Sequence, residues 1–140
     1  VLQELMPLAL AKGQDIGVAV ENDCQIHADD TEIYTLIKTF TDNAIRYTPK
    51  GGRIDLGFDE TAEYLNIWVE DDGPGIPPSE RQRVIDPFYR ILGTEQQGTG
   101  LGLSIADTIV KRHQGRLKLA GSRRFDSGLL IIAELDKKTL

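Results

Sequence analysis

The chain has 140 residues, with 16 basic and 22 acidic side chains and a formal net charge of −6. That length suits one domain able to bury about 68% of its unfolded surface, and a content of 40% hydrophobic and 27% charged residues excludes a disordered chain. The acidic balance argues against nucleic acid as a partner, since phosphate backbones call for a basic face, and the longest apolar run, Leu129 to Ala133, falls far short of the ~20 residues that cross a bilayer.

In chain order, residues 1–12 are apolar and helix-permissive apart from Pro7, and Ile16 to Val20 reads as a strand. Asp29 with Glu32 three residues on resembles a capping box. Ile33, Leu36, Ile37, Phe40, Ala44 and Tyr47 then recur at helical spacing, which predicts an amphipathic helix over 30–47. Thr48-Pro49-Lys50-Gly51-Gly52 ends it. Ile54, Leu56 and Phe58 alternate with polar or small residues, as do Leu65, Ile67 and Val69; this predicts two half-buried strands with a turn near 59–63. Trp68 falls on the polar phase of the second, where it would pack on the sheet's other face. Ser79 with Gln82 is a second capping-box candidate, opening a short helix that Asp86-Pro87 ends. Residues 90–99 read as a mobile loop, and Leu101 to Arg112 as a helix stopped at Gly115. Leu117 and Leu119 alternate in a further strand, Arg123-Arg124 reads as a solvated turn, and Leu129 to Leu135 suits a strand buried on both faces. This order is not a regular βαβ alternation. It predicts an α+β fold, a sandwich with helices on one face of a mixed sheet.

Three polar clusters carry chemistry. Thr39, Asn43, Arg46 and Tyr47 stand at i, i+4, i+7 and i+8, on one helical stripe. A neutral amide oxygen there suits Mg²⁺, and the guanidinium one turn on suits a phosphate oxygen; by itself the stripe reads first as a solvated helix face. Asp71 ends an apolar strand and meets Gly73 and Gly75. A carboxylate so placed can accept from an exocyclic amine and so prefer adenine over guanine, with Ile76 packing on the base; by itself Glu70-Asp71-Asp72 is equally a charge run on a tight turn. Gly98-Thr99-Gly100-Leu101-Gly102-Leu103-Ser104 leads glycines into a helix, where main-chain N–H groups and the helix dipole favour phosphate. No lysine follows, so it is not a P-loop, and no strand leads into it as a dinucleotide fingerprint requires.

With these in hand the chain resembles the ATP-binding catalytic domain of sensor histidine kinases, in the superfamily of DNA gyrase, the ninety-kilodalton heat-shock chaperone, histidine kinases and mismatch-repair MutL. Asp42-Asn43-Ala44-Ile45-Arg46-Tyr47-Thr48-Pro49 resembles the N box, Asp71-Asp72-Gly73-Pro74-Gly75-Ile76-Pro77 the first glycine box, Asp86-Pro87-Phe88-Tyr89-Arg90 the F box and the segment 98–104 the second glycine box. The resemblance runs from about Leu5 to Leu135. It implies the Bergerat fold, a two-layer sandwich of about five strands under three main helices, as one domain over 1–140. It implies that Asn43 holds Mg²⁺, that Arg46 and Tyr47 flank the phosphates and that Asp71 reads the adenine amine. Gly73, Gly75 and Ile76 would form the base pocket. Phe88, Tyr89 and Arg90 would anchor and prime a lid, and Gly98, Thr99, Gly100, Leu101, Gly102 and Leu103 would bind phosphate through their main chain. One departure stands out: the family usually has a second asparagine where this chain has Thr39.

The resemblance also implies a function. ATP and Mg²⁺ would be bound and the γ-phosphoryl group donated to a histidine on a separate dimerisation domain of the same kinase, with a response regulator downstream. His27 and His113 lack an acceptor's sequence context, so both are expected to be structural or surface residues. The chain opens on Val1 in mid-pattern, which reads as an excised piece lacking the phosphoacceptor domain. Cys24 is the only cysteine, which excludes an intrachain disulfide, suits a small core residue and points to a reducing compartment. A cytoplasmic domain without membrane contact, in a parent that is an inner-membrane sensor, is the corresponding expectation. The alternatives are a nucleotide-sensing or degenerate binding module without phosphotransfer, which Thr39 favours, and a serine kinase of the anti-sigma-factor type, which the F box disfavours.

Overall fold

The structure, a computed structural model, describes residues 7, 9–20, 30–85 and 102–140. Five strands form one sheet: β1 (Asp15–Val20), β2 (Arg53–Glu60), β3 (Tyr64–Asp71), β4 (Arg116–Gly121) and β5 (Leu129–Asp136). Their order is β1-β2-β3-β5-β4. β1 runs parallel to β2 and the other neighbours are antiparallel, so the sheet is mixed, as expected. A parallel pair needs a crossover, and α1 (Asp30–Tyr47) lies between β1 and β2 in the chain. With α1, a helical segment through residues 9–11 and α2 (Gly102–Arg112) are the three α-helical segments among the described residues.

The period-two pattern decides which face is covered. Leu56 pairs with Val69, Ile67 with Ala133, and both Val69 and Leu119 with Ile131, so these apolar side chains share a face. Under α1 and α2 they form the core, with Leu36, Phe40 and Ala44 from the first helix and Leu103, Ala106, Ile109 and Val110 from the second. Each large side chain so buried contributes roughly 1.5–3 kcal/mol relative to exposure.

The opposite face is closed differently. Asp55, Trp68 and Glu70 point there, each less than 9% exposed. The turn between β4 and β5 folds over them. Arg124 lies 4.8 Å from the centre of the Trp68 ring, 3.4 Å from Asp55 Oδ2 and 3.6 Å from Glu70 Oε1. Trp68 therefore packs on the second face as expected, but Arg124 is not part of a free solvated turn. Its guanidinium finds an aromatic face and two acids that lie far away in sequence.

Local endings also differ from the sequence reading. The helix expected after Pro78 is two 3₁₀ turns, Pro78–Glu80 and Arg83–Ile85. The first is entered from Pro77 without a side-chain cap, because Ser79 sits inside the turn rather than before it. α2 stops where expected, yet the left-handed residue is Gln114 (φ 52°); Gly115 follows in close contact with the Glu134 carbonyl. Glu32 ties the start of α1 to the end of α2. Its Oε1 pairs with Arg112 and its Oε2 with His113, both at 2.8 Å, and His113 Nδ1 meets Thr139 Oγ1 at 2.9 Å. His113 is thus a buried structural residue. Asp29, Cys24, His27, Asp86, Pro87 and the loop expected over 90–99 lie outside the described residues.

The last turn of α1 leaves carbonyls without in-helix partners. Lys12 Nζ donates to those of Ile45 (2.7 Å) and Thr48 (2.8 Å), and Gln14 Nε2 to the same two at 3.0 and 2.7 Å. Burial, with Lys50 adding repulsion, lowers the pKa of the Lys12 ammonium.

Candidate functional site

The stripe on α1 is the spine of the site. Asn43 is half-buried, and its Nδ2 is buried with no hydrogen-bond partner among the described residues. Buried amides are ordinarily satisfied, so this side chain is not used up by the fold. Arg46 donates from Nε to Asp42 Oδ2 at 3.0 Å. This is an exposed i,i+4 pair, of the kind that contributes little and exchanges readily. Tyr47, one residue on, is half-buried.

Both glycine motifs abut this stripe. A Cβ on Gly73 would lie 2.8 Å from the Tyr47 carbonyl oxygen and 3.1 Å from Asp71 Oδ1, so only glycine allows the chain that close to the end of α1. A Cβ on Gly102, the first residue of α2, would lie 3.2 Å from Thr39 Cγ2. The two motifs therefore touch α1 at positions eight residues apart, about 12 Å along its axis, with Asn43 between them. Thr39 presents its methyl group to the start of α2. Leu103 buries its side chain in the core and has only its main chain to offer a ligand.

Asp71 closes the other end. It is 3% exposed, and its Oδ1 accepts from the N–H groups of Gly73 (2.9 Å) and Leu129 (3.3 Å). Burial raises its pKa above the ordinary aspartate range, reinforced by the charges of Asp72 and Glu70 and opposed by those two hydrogen bonds. The three successive acids have separate partners. Glu70 faces the opposite side of the sheet, Asp71 faces the helix layer, and Asp72 Oδ1 accepts from the Arg53 N–H at 2.9 Å. They do not form a solvated charge run. Ile76 is half-buried against the core, its carbonyl accepting from Arg81 Nε at 3.1 Å.

Sequence reasoning missed the turn behind Asp71. Gly75 (φ 75°) packs where a Cβ would meet the Gly128 carbonyl oxygen at 2.8 Å. Gly128 (φ 136°) lies where any Cβ would overlap the Asp71 carbonyl. Ser127 Oγ donates to the Gly73 carbonyl at 3.0 Å. The β4–β5 turn is thus the back wall of the first glycine motif. Only Gly128 before an apolar run hinted at it.

Among the described residues no group of three His, Cys, Asp or Glu could hold a metal. Mg²⁺ does not need one, since it takes one or two protein oxygens and completes its shell with phosphate and water. The Asn43 side chain carries one amide oxygen of the hard, neutral kind such a shell accepts, while its Nδ2, partnerless among the described residues, is a donor suited to a phosphate oxygen rather than to the metal. Phe88, Tyr89, Arg90, Gly98, Thr99, Gly100 and Leu101 lie outside the described residues. No described helix is long and apolar enough to cross a membrane.

Residues 28–139 match the family described as histidine kinase-, DNA gyrase B-, and HSP90-like ATPase. The adaptive-response sensory kinase SasA of Trichormus variabilis is 34% identical over 120 residues, covering 84% of this chain and 30% of that protein. The chain thus spans about a third of the length of the curated relatives it matches. Among solved structures, the catalytic domain of histidine kinase ThkA superposes with a TM-score of 0.85 at 27% identity, covering 97% of this chain and 87% of that one. Full-length ShkA in complex with AMPPNP superposes with a TM-score of 0.83 at 26% identity, covering 95% of this chain and 27% of that one.

Proposed function

This chain belongs to the histidine kinase-, DNA gyrase B-, and HSP90-like ATPase family, and from that premise we propose that it binds Mg²⁺-ATP and donates the γ-phosphoryl group to a histidine on a separate dimerisation domain of a sensor kinase. One observation carries the reading: two glycine motifs abut a single stripe of α1, with a buried amide nitrogen that has no partner among the described residues between them and a buried carboxyl at one end. The binding of AMPPNP by ShkA supports the same assignment.

In this reading Asp71 accepts from the exocyclic amine of adenine, while the carbonyl of guanine would leave the acid unpaired. Gly73, Gly75 and Ile76 shape the base pocket. Asn43 holds Mg²⁺, which when bound neutralises phosphate charge. Arg46 gives up its exposed bond to Asp42 for a phosphate oxygen, with Tyr47 beside it. Gly98, Thr99, Gly100, Leu101, Gly102 and Leu103 offer main-chain N–H groups ahead of α2, at the positive end of its dipole. Tyr89 and Arg90 belong to the lid. Catalysis is positioning and charge neutralisation, with no covalent intermediate on this domain. Thr39 supplies no general base, so hydrolysis of ATP by the domain alone is slow. Residues 1–140 form the nucleotide-binding domain of a longer cytoplasmic kinase unit. Its further partners are the histidine domain of the parent and a response regulator.

Titration calorimetry with ATP and GTP, with and without EDTA, tests this. ATP should bind in preference to GTP, and the preference should depend on Asp71. Asp71→Asn should weaken ATP by about 1–3 kcal/mol and leave GTP nearly unchanged, and Asn43→Ala should remove the Mg²⁺-dependent part of the affinity. Equal binding of ATP before and after the first change would overturn the pocket assignment. Transfer of labelled phosphate to a supplied histidine domain separates a kinase from a nucleotide sensor.

A further inference from the structure

Glu70 is a buried acid on the face of the sheet away from the nucleotide motifs, 2% exposed. A carboxylate so buried is costly unless it is well supplied with donors. Its Oε2 accepts from Ser122 Oγ at 2.8 Å and from the main-chain N–H groups of Arg123 and Arg124. Its Oε1 faces Arg124 Nε at 3.6 Å. Every one of these donors belongs to the start of the β4–β5 turn. The end of the same turn reaches the other face: Ser127 bonds the Gly73 carbonyl, Gly128 packs on the Asp71 carbonyl, and the Leu129 N–H bonds Asp71 Oδ1. A seven-residue connection (122–128) is therefore fixed at both ends by neighbours on β3, Glu70 and Asp71, whose side chains point to opposite sides of the sheet.

We propose that Glu70 is a positioning residue for purine selection: from behind the sheet it locks the β4–β5 turn whose far end orients the Asp71 carboxylate. The inference rests on the reading of Asp71 as the group that reads the base. Freed from Glu70, the turn loses its anchor. The Leu129 N–H and the Gly73 main chain then no longer hold Asp71 Oδ1 in one place, and discrimination between an amine and a carbonyl on the purine relaxes. Glu70 itself touches no nucleotide.

The test pairs nucleotide calorimetry with amide hydrogen exchange on the nucleotide-free chain, for Glu70→Gln, Arg124→Gln and Asp71→Asn. Glu70→Gln replaces charge-assisted bonds with neutral ones of about half the strength. It should weaken ATP about fivefold, narrow the ATP-to-GTP ratio, and speed exchange at Leu129 and Gly73 while Ile67 and Ile131 stay protected. A general loss of stability would instead speed exchange throughout and leave the ratio alone. Arg124→Gln changes an exposed side chain, and should move the same quantities in the same direction by less; it decides the matter if Glu70→Gln does not fold. A folded Glu70→Gln protein with an unchanged ratio and unchanged exchange at Leu129 overturns the inference. If Asp71→Asn narrows the ratio and Glu70→Gln does not, only this inference fails. If Asp71→Asn leaves the ratio intact, the base-reading assignment itself fails.

Discussion

The two faces of the sheet bury their side chains by different means. Toward the helices, Ile54, Leu65, Ile67, Ile131 and Leu135 lie under two helices in a continuous apolar layer. On the other face Asp55, Trp68 and Glu70 are nearly as inaccessible, yet they are covered by the β4–β5 turn with its Arg124 and, at Asp55, by Arg53 (2.9 Å). The first arrangement is non-directional and tolerates small shifts. The second depends on a few directed contacts, each of which leaves a buried charge exposed to its desolvation cost when removed. The two arrangements meet at the end of β3, where Asp71 on the helix side follows Glu70 on the other.

Truncation in the apolar layer should have the largest effect. Ile67→Ala, at a side chain 1% exposed, should lower the stability to urea by about 2–5 kcal/mol; a loss well under 1 kcal/mol would mean that the layer repacks easily and the contrast is weaker than drawn. An intermediate effect belongs to Asp71 and pH. Its carboxyl is raised by burial, so the folded chain holds this proton more tightly than the unfolded chain. Its contribution to stability is therefore greatest at low pH and declines as pH rises through the folded value. If Asp71 reads adenine as proposed, recognition needs the ionised acceptor, and ATP affinity should rise over the same window. Denaturation of the nucleotide-free chain and calorimetry, run upward from the ordinary aspartate range, should show these opposite slopes for wild type and a weaker rise in ATP affinity for Asp71→Asn. The smallest effect is expected at Arg124, whose side chain is 44% exposed. With its ion pairs discounted for screening, Arg124→Ala should cost about 1 kcal/mol. It should also shift the emission of Trp68, the only tryptophan of the chain. An unchanged spectrum would break the claim that this guanidinium covers the ring.

The same contrast explains what could be read in advance. Period-two runs at 54–58 and 65–69, and the helical spacing over 30–47, are local patterns, and β2, β3 and α1 followed from them; the register that sets Leu56 opposite Val69 did not. The motif residues Asn43, Asp71, Gly73 and Gly75 were legible because their chemistry is concentrated in short segments. Glu70 and Arg124 are 54 residues apart, and no local pattern links an acid on a strand's polar phase to an arginine in a distant turn. Gly128 was only a hint for the same reason: its need for an absent Cβ is set by the Asp71 carbonyl. Gln114 in the left-handed region and the 3₁₀ turns after Pro77 show a third limit. Local propensity placed those stops and starts within a residue or two, and the neighbouring packing chose which residue carried them.

Lys12 and Gln14 reach the carbonyls that end α1 from the segment just ahead of β1, and the Gly51 N–H closes the loop on the Lys12 carbonyl at 2.9 Å. The polypeptide arriving at the sheet is thereby riveted to the turn that follows Asn43 by one turn of helix. A twist applied upstream of residue 12 has no slack in which to dissipate. It is borne by the carbonyls of Ile45 and Thr48, which flank the Tyr47 carbonyl against which the Gly73 backbone rests, and this couples the entry segment to the first glycine motif.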